Sequence, residues 1–151
     1  MTDDKILQVG FTGTRNGMNY LQKREVYAQL KALQSKSCGL IELSHGGCLG
    51  SDEQVHAIAQ GLKIFCHVRP GSDPKMTMHL SGNRGYHVYP RKSYKVRNTT
   101  IVTSTSILIV APYEECEQVR GGTWMTYRIG LRYKSEVRTI YPSGAVYCVG
   151  E

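Results

Sequence analysis

Apolar residues along this chain fall into two patterns. Five short, mostly apolar runs (Ile6 to Phe11, Gly39 to Leu43, Leu62 to Val68, Ser106 to Ala111 and Val137 to Tyr141) are each bounded by glycine, proline or polar residues. Between runs, apolar residues return every three or four positions, as with Leu21, Val26, Leu30 and Leu33, then Val55, Ile58, Ala59 and Leu62. The runs read as strands and the spaced stretches as helices. The first helix runs from a cap at or just before Asn19 to about Lys36, and a second follows Asp52. A short third helix is predicted over Tyr94 to Thr103, and a fourth from Thr123 to about Tyr133. The segment from about Ser72 to Ser93 holds glycine, proline, histidine and tyrosine without a period. It reads as a long, partly extended connection, of the kind that often covers a ligand or completes a neighbouring subunit's site.

Strands that are apolar rather than alternating, with helices between them, imply a parallel sheet covered on both faces. The expected architecture is a single Rossmann-like α/β domain spanning residues 1–151, with about five parallel strands. Ligands of such sheets sit beyond the carboxyl ends of the strands. That rule places Gly13-Thr14-Arg15, the loop around Gly46-Gly47, Arg69-Pro70 and Arg120-Gly121-Gly122-Thr123 along one edge.

The central stretch is Ser44-His45-Gly46-Gly47-Cys48-Leu49-Gly50-Ser51-Asp52. Here a strand must turn sharply into a helix. Three glycines permit positive φ and a close approach of N–H groups to a ligand, and the helix start adds its positive dipole end. The stretch reads as a nucleotide-phosphate loop, and a tight turn without a ligand is the competing reading. Gly121-Gly122-Thr123 before the fourth helix repeats the same logic.

Composition and charge narrow the function classes. At 151 residues the chain can bury roughly two-thirds of its unfolded surface as one domain. No apolar run approaches the length of a bilayer span, so a soluble protein with no membrane partner is expected. The N-terminus, Met1-Thr2-Asp3-Asp4-Lys5, lacks a basic-then-apolar signal segment, which points to the cytoplasm. The five cysteines form no CxxC pair, arguing against a disulfide framework or a zinc site. The five histidines lack a metal-ligand spacing, and neither metal nor cofactor is expected. A formal charge of +7 admits either nucleic acid or a phosphorylated small molecule. Arg15, Arg69, Arg84, Arg91, Arg97, Arg120 and Arg128 lie mostly beside glycine, proline or asparagine in predicted loops, which suits bidentate recognition of phosphate.

Three pieces carry a resemblance: Gly10-Phe11-Thr12-Gly13-Thr14-Arg15; the central stretch with His56 one helical turn on; and Arg97-Asn98 followed by Gly121-Gly122-Thr123-Trp124. In this order, across nearly the whole chain, the sequence resembles the superfamily that joins the lonely-guy (LOG) nucleotide phosphoribohydrolases, the Rossmann-like domain of the DNA-processing protein A (DprA) proteins and the nucleotide-sensing SLOG domains. The resemblance implies that Gly46, Gly47, Gly50, Asp52, Gly121, Gly122 and Thr123 hold a nucleotide's phosphate and ribose, and that Arg97 and Asn98 approach it. It also implies a homo-oligomer. The hydrolases carry Pro-Gly-Gly-x-Gly-Thr-x-x-Glu, whose glutamate takes part in cleaving the N-glycosidic bond. Here Arg120 replaces the proline, the third glycine is missing, and Met125, Thr126, Tyr127 and Arg128 supply no carboxylate.

The candidate ligand-binding set is therefore Gly13, Thr14, Arg15, His45, Gly46, Gly47, Gly50, Asp52, Arg97, Asn98, Gly121, Gly122 and Thr123. Asp52 is the candidate catalytic group, although a carboxylate in a first helical turn also caps N–H groups. His45 and His56 can act as acid, base or phosphate contact, or pack beside the helix. Tyr86, Tyr89, Tyr94 and Trp124 are candidates for stacking on a base. Three functions follow in order: binding of a nucleotide or nucleotide-derived small molecule for sensing or sequestration; a phosphoribohydrolase-like N-glycosidase acting on nucleoside 5′-monophosphates through Asp52; and single-stranded nucleic-acid binding driven by the net charge.

Overall fold

The computed structural model describes residues 5–150, so Met1-Thr2-Asp3-Asp4, on which the cytoplasmic expectation leans, and Glu151 lie outside the described residues. In chain order the elements are β1 (Leu7–Gly13), α1 (Tyr20–Lys36), β2 (Ile41–His45), α2 (Ser51–Gly61), β3 (Phe65–Val68), β4 (Tyr86–Val88), α3 (Tyr94–Thr103), β5 (Ile107–Ala111), α4 (Gly122–Arg132), β6 (Glu136–Ile140) and β7 (Val146–Val149). All seven strands form one sheet in the order β4-β3-β2-β1-β5-β6-β7. Every neighbouring pair is parallel except β6 and β7.

Strand β5 shows why the sheet is covered on both faces. Its Ile107, Ile109 and Ala111 pack in one core with Val26 and Leu30 of α1 and Val55 and Ala59 of α2. Its Leu108 and Val110 pack in a second core with Ile101 and Val102 of α3 and Ile129 of α4. A strand with no polar face is stable only between two layers of helix. Helix α1 begins at a capping box in which the Asn19 side chain accepts from the Gln22 N–H at 2.9 Å and Gln22 Oε1 accepts from the Asn19 N–H at 3.2 Å. Its inward face is Gln22, Val26, Leu30 and Leu33, whereas Leu21, expected on that face, is exposed. Gln22 earns burial by donating to the carbonyls of Pro112 and Ile140, which ties α1 to the loop after β5 and to the end of β6.

The sheet has seven strands rather than five. Strand β4 lies inside the segment predicted as an irregular connection: three residues long and on the sheet edge, it gives no readable period. Strand β7 follows the turn at Pro142-Ser143-Gly144 and adds antiparallel to β6. Three boundaries also move. β1 continues to Gly13 and β2 to His45, so part of each predicted loop is strand. β3 starts at Phe65, because Leu62 ends α2 and Lys63 turns the chain at φ 59°. Among the described residues no helix is long and apolar enough to cross a membrane.

Candidate functional site

The carboxyl ends of β1, β2 and β5 open into a cavity of about 430 Å³, which the starts of α2 and α4 and the buried end of α3 complete. Of the predicted residues, Gly13, Thr14 and Arg15 line it from β1, Gly46 and Asp52 from the central loop and α2, Arg97 and Asn98 from α3, and Gly121, Gly122 and Thr123 from α4. His45, Gly47 and Gly50 do not line it. His45 is wholly buried beneath the loop. Gly47 backs onto Val68, and Gly50 turns at φ 88° against the Arg15 carbonyl.

The glycine loop is knotted by its own hydrogen bonds. The Gly47 N–H donates to His45 Nδ1 (2.9 Å), the Cys48 N–H to Asp52 Oδ2 (3.0 Å) and the Gly50 N–H to Glu53 Oε1 (2.9 Å). The Leu49 N–H donates to the Met76 carbonyl and the Ser51 N–H to the Thr14 carbonyl. Five consecutive donors from Gly47 to Ser51 are thus satisfied inside the protein. The segment from Ser72 to Ser93, expected as a ligand cover, instead braces this loop from outside, with Met78 N–H bonded to the Gly47 carbonyl and Cys48 bridged to Thr77. None of its residues lines the cavity.

The start of α4 differs. Gly121, at φ 109°, supplies no side-chain cap, and the first helical bond runs from the Met125 N–H to the Gly121 carbonyl. The N–H groups of Gly122, Thr123 and Trp124 are therefore first-turn donors without a helical acceptor. Arg15 and Arg120 also line the cavity.

Arg97 is 5% exposed and acts as a strut: Nη1 donates to the carbonyls of Gly46 and Arg69, Nε to Asn98 Oδ1, and Nη2 lies 3.7 Å from Cys48 Sγ. Two guanidinium groups approach the Tyr94 ring, Arg15 at 5.1 Å and Arg97 at 5.2 Å from its centre. Asp52, 7% exposed, is pushed up to about 6 by burial, partly offset by the Cys48 N–H and the charge of Arg97.

His45, His56 and Cys66 bring their side-chain donor atoms within 4.8 Å of one another, a grouping that positions 45, 56 and 66 do not advertise in the sequence. Because His45 Nδ1 accepts from Gly47, its proton sits on Nε2 and is donated to His56 Nδ1 at 2.9 Å. That tautomer leaves His45 no lone pair for a cation. Burial and the neighbouring His56 and Arg97 hold His45 far down, at about 3, and burial pushes the Cys66 thiol up to about 12. His45 and His56 bond to each other while the Cys66 thiol donates to the Ile64 carbonyl, and the three neutral groups form a structural cluster under the loop.

No family model matches the chain, and no curated protein matches it. A solved structure shares its fold. This is the X-ray structure of TM1055, a Northeast Structural Genomics Consortium target (VT76), which superposes with a TM-score of 0.59 at 13% identity over 87% of this chain and 72% of that one. At that identity the likeness concerns architecture alone.

Glu114 and Tyr113 are among the cavity residues that escaped the sequence reading. Glu114, in the polar loop after β5, accepts from the Trp124 indole N–H at 2.8 Å, and Tyr113 stands beside it. The signal was topological: a loop leaving a central strand at its carboxyl end belongs to the same edge as the glycine loops. Of the aromatics considered, Tyr94 and Trp124 line the cavity, with Trp124 2% exposed. Tyr86 packs edge-on against His56, and Tyr89 lies under the Arg69 guanidinium, both outside it.

Proposed function

We propose that this chain binds a nucleotide or nucleotide-derived small molecule in the cavity at the carboxyl edge of its sheet, as a sensor or sequestering protein of SLOG type. The observation that carries the reading is the open start of α4, where uncapped N–H groups face a cavity walled by Arg15, Arg97 and Arg120. Such a start binds anions by its dipole and donors together, and Arg15 and Arg120 add bidentate contacts, whereas the Arg97 donors are held by the protein itself. The sequence resemblance to nucleotide-binding superfamily members points the same way. Relative to the central glycine loop, the phosphate is assigned here to Gly121-Gly122-Thr123, since the donors from Gly47 to Ser51 already have partners.

The experiment is a thermal-shift and calorimetry panel of AMP, GMP, ADP-ribose, cyclic nucleotides and a short oligonucleotide. A binder raises the melting midpoint by mass action. A mononucleotide that binds while the oligonucleotide does not separates this reading from single-stranded nucleic-acid binding.

One observation favours N-glycosidase activity as a second reading. Asp52, lining the cavity with its carboxyl raised to about 6, has the protonation behaviour of a group that exchanges protons near neutrality. Release of free base from a nucleoside monophosphate, abolished by Asp52→Asn, is the expected result for an enzyme. An intact ligand after long incubation is the expected result for a sensor.

A further inference from the structure

The cavity holds a carboxylate that neither the phosphate site nor the acid–base reading of Asp52 uses. Glu114 is placed by the loop that follows β5, and α4 fixes that loop at two points. Trp124 donates its indole N–H to Glu114 Oε1 at 2.8 Å. One turn on, Arg128 donates from Nη1 to the Gln118 carbonyl and to Glu117 Oε2, and from Nη2 to the Val119 carbonyl, all at 2.9 Å. The three ion pairs among the described residues involve Glu42, Glu117 and Glu136, none of them Glu114. Its Oε2, and the second lone pair of Oε1, accept nothing from the described residues.

A carboxylate in the lining of a cavity that Arg15, Arg97 and Arg120 also line is a recognition element for donors. A phosphate oxygen is repelled by it, whereas two neighbouring hydroxyls satisfy its two oxygens. Its place relative to the α4 start decides which part of a nucleotide it meets. The tether to Trp124, the third residue of α4, attaches Glu114 to the same helix start that carries the N–H groups of Gly122 and Thr123. From a 5′-phosphate seated there, the ribose hydroxyls come before the far edge of the base.

We propose that Glu114 reads the sugar: its carboxylate accepts the 2′- and 3′-hydroxyls of a ribonucleotide, making the site selective for ribose over deoxyribose and closed to a 2′-phosphate. This rests on the nucleotide reading above and adds the sugar class. Hydrogen bonds to an ionised carboxylate are the stronger kind. Loss of one such bond corresponds to about tenfold to a hundredfold in affinity.

The test is calorimetric affinity for AMP, dAMP, GMP and dGMP in the wild type, in Glu114→Gln and in Glu115→Gln as a neighbouring control outside the cavity lining. Glu114→Gln keeps an acceptor for Trp124 and replaces Oε2 by a donor, so the fold stays intact. The wild type is expected to prefer each ribonucleotide over its deoxy form by about tenfold or more, and the preference is expected to vanish in Glu114→Gln and persist in Glu115→Gln. Equal affinity for ribo- and deoxyribonucleotides in the wild type, or a preference that survives Glu114→Gln, overturns the proposal while leaving nucleotide binding standing. A preference for guanine that tolerates deoxyribose and is lost in Glu114→Gln also overturns it, moving Glu114 to the base. Failure of the wild type to bind any of the four removes the nucleotide reading and this assignment together.

Discussion

Replacing Asp52 with asparagine is expected to stabilise the protein, and to do so only where the native carboxyl is ionised. Asp52 sits at 7% exposure with its carboxyl raised from 3.8 to about 6, burial being the largest cause. A carboxyl raised in the folded state contributes stability that is full below its unfolded value and is lost as pH rises through its folded value. A shift of about two units corresponds to about 3 kcal/mol lost in total, of which roughly 1 kcal/mol develops between about pH 5 and about pH 8. Asparagine keeps an acceptor for the Cys48 N–H, at 3.0 Å from Asp52 Oδ2 in the native protein, and has no charge to desolvate. The assay is urea unfolding of both proteins at the two pH values, comparing the difference between them. Contributions from His45 and His56 are common to both proteins and cancel. The stability difference should move in favour of the asparagine variant by about 1 kcal/mol on going to the higher pH. A pH-independent difference, or one moving the other way, refutes the reasoning, because the Arg97 charge would then outweigh burial.

Further outcomes follow from the same geometry. His45, held at about 3 by burial, contributes stability that is present above its unfolded value of 6.5 and lost as pH falls toward 3. A His45→Gln variant should therefore show a shallower loss of urea stability on acidification, by about 2 kcal/mol over two pH units below 6.5. Gly50→Ala places a methyl against the Arg15 carbonyl at φ 88° and should cost about 2 to 4 kcal/mol in chemical denaturation. Gly39→Ala, at φ 82° with open space around it, should cost about 1 kcal/mol, the backbone term alone.

The layered fold was legible because its signals are local. Ile107 to Ala111 is apolar at every position, and only burial on both faces explains that. Strands β4 and β7 were not legible for the opposite reason: three or four residues on a sheet edge, half of them exposed, owe their conformation to a neighbour rather than to their own period. The same division runs through the site. The positions of Arg15, Asp52 and Gly122 around one cavity follow from the rule about strand ends, and that of Arg97, inside α3, from the family resemblance. What the glycine loop does with its N–H groups does not, since Leu49 and Ser51 find acceptors on Met76 and Thr14, far away in sequence. Glycines that bring a backbone close to something are read easily. Whether that something is a phosphate or the protein's own carbonyls depends on tertiary contacts. Glu114 was hidden in a run of polar loop residues, and only its indole anchor distinguishes it from Glu115.

The most direct test of the account is nucleotide affinity in the wild type and in Gly122→Pro. Position 122 opens α4, where proline suits the helix and forfeits no helical bond, and a Cβ there meets nothing within 4 Å. The substitution deletes one first-turn N–H and leaves the fold alone. The account predicts a mononucleotide that binds the wild type with one site per chain, and a loss of about tenfold or more in Gly122→Pro at unchanged melting midpoint without ligand. Equal binding by the two proteins, or no heat and no midpoint shift with any mononucleotide, would contradict the assignment of the anion site to the start of α4.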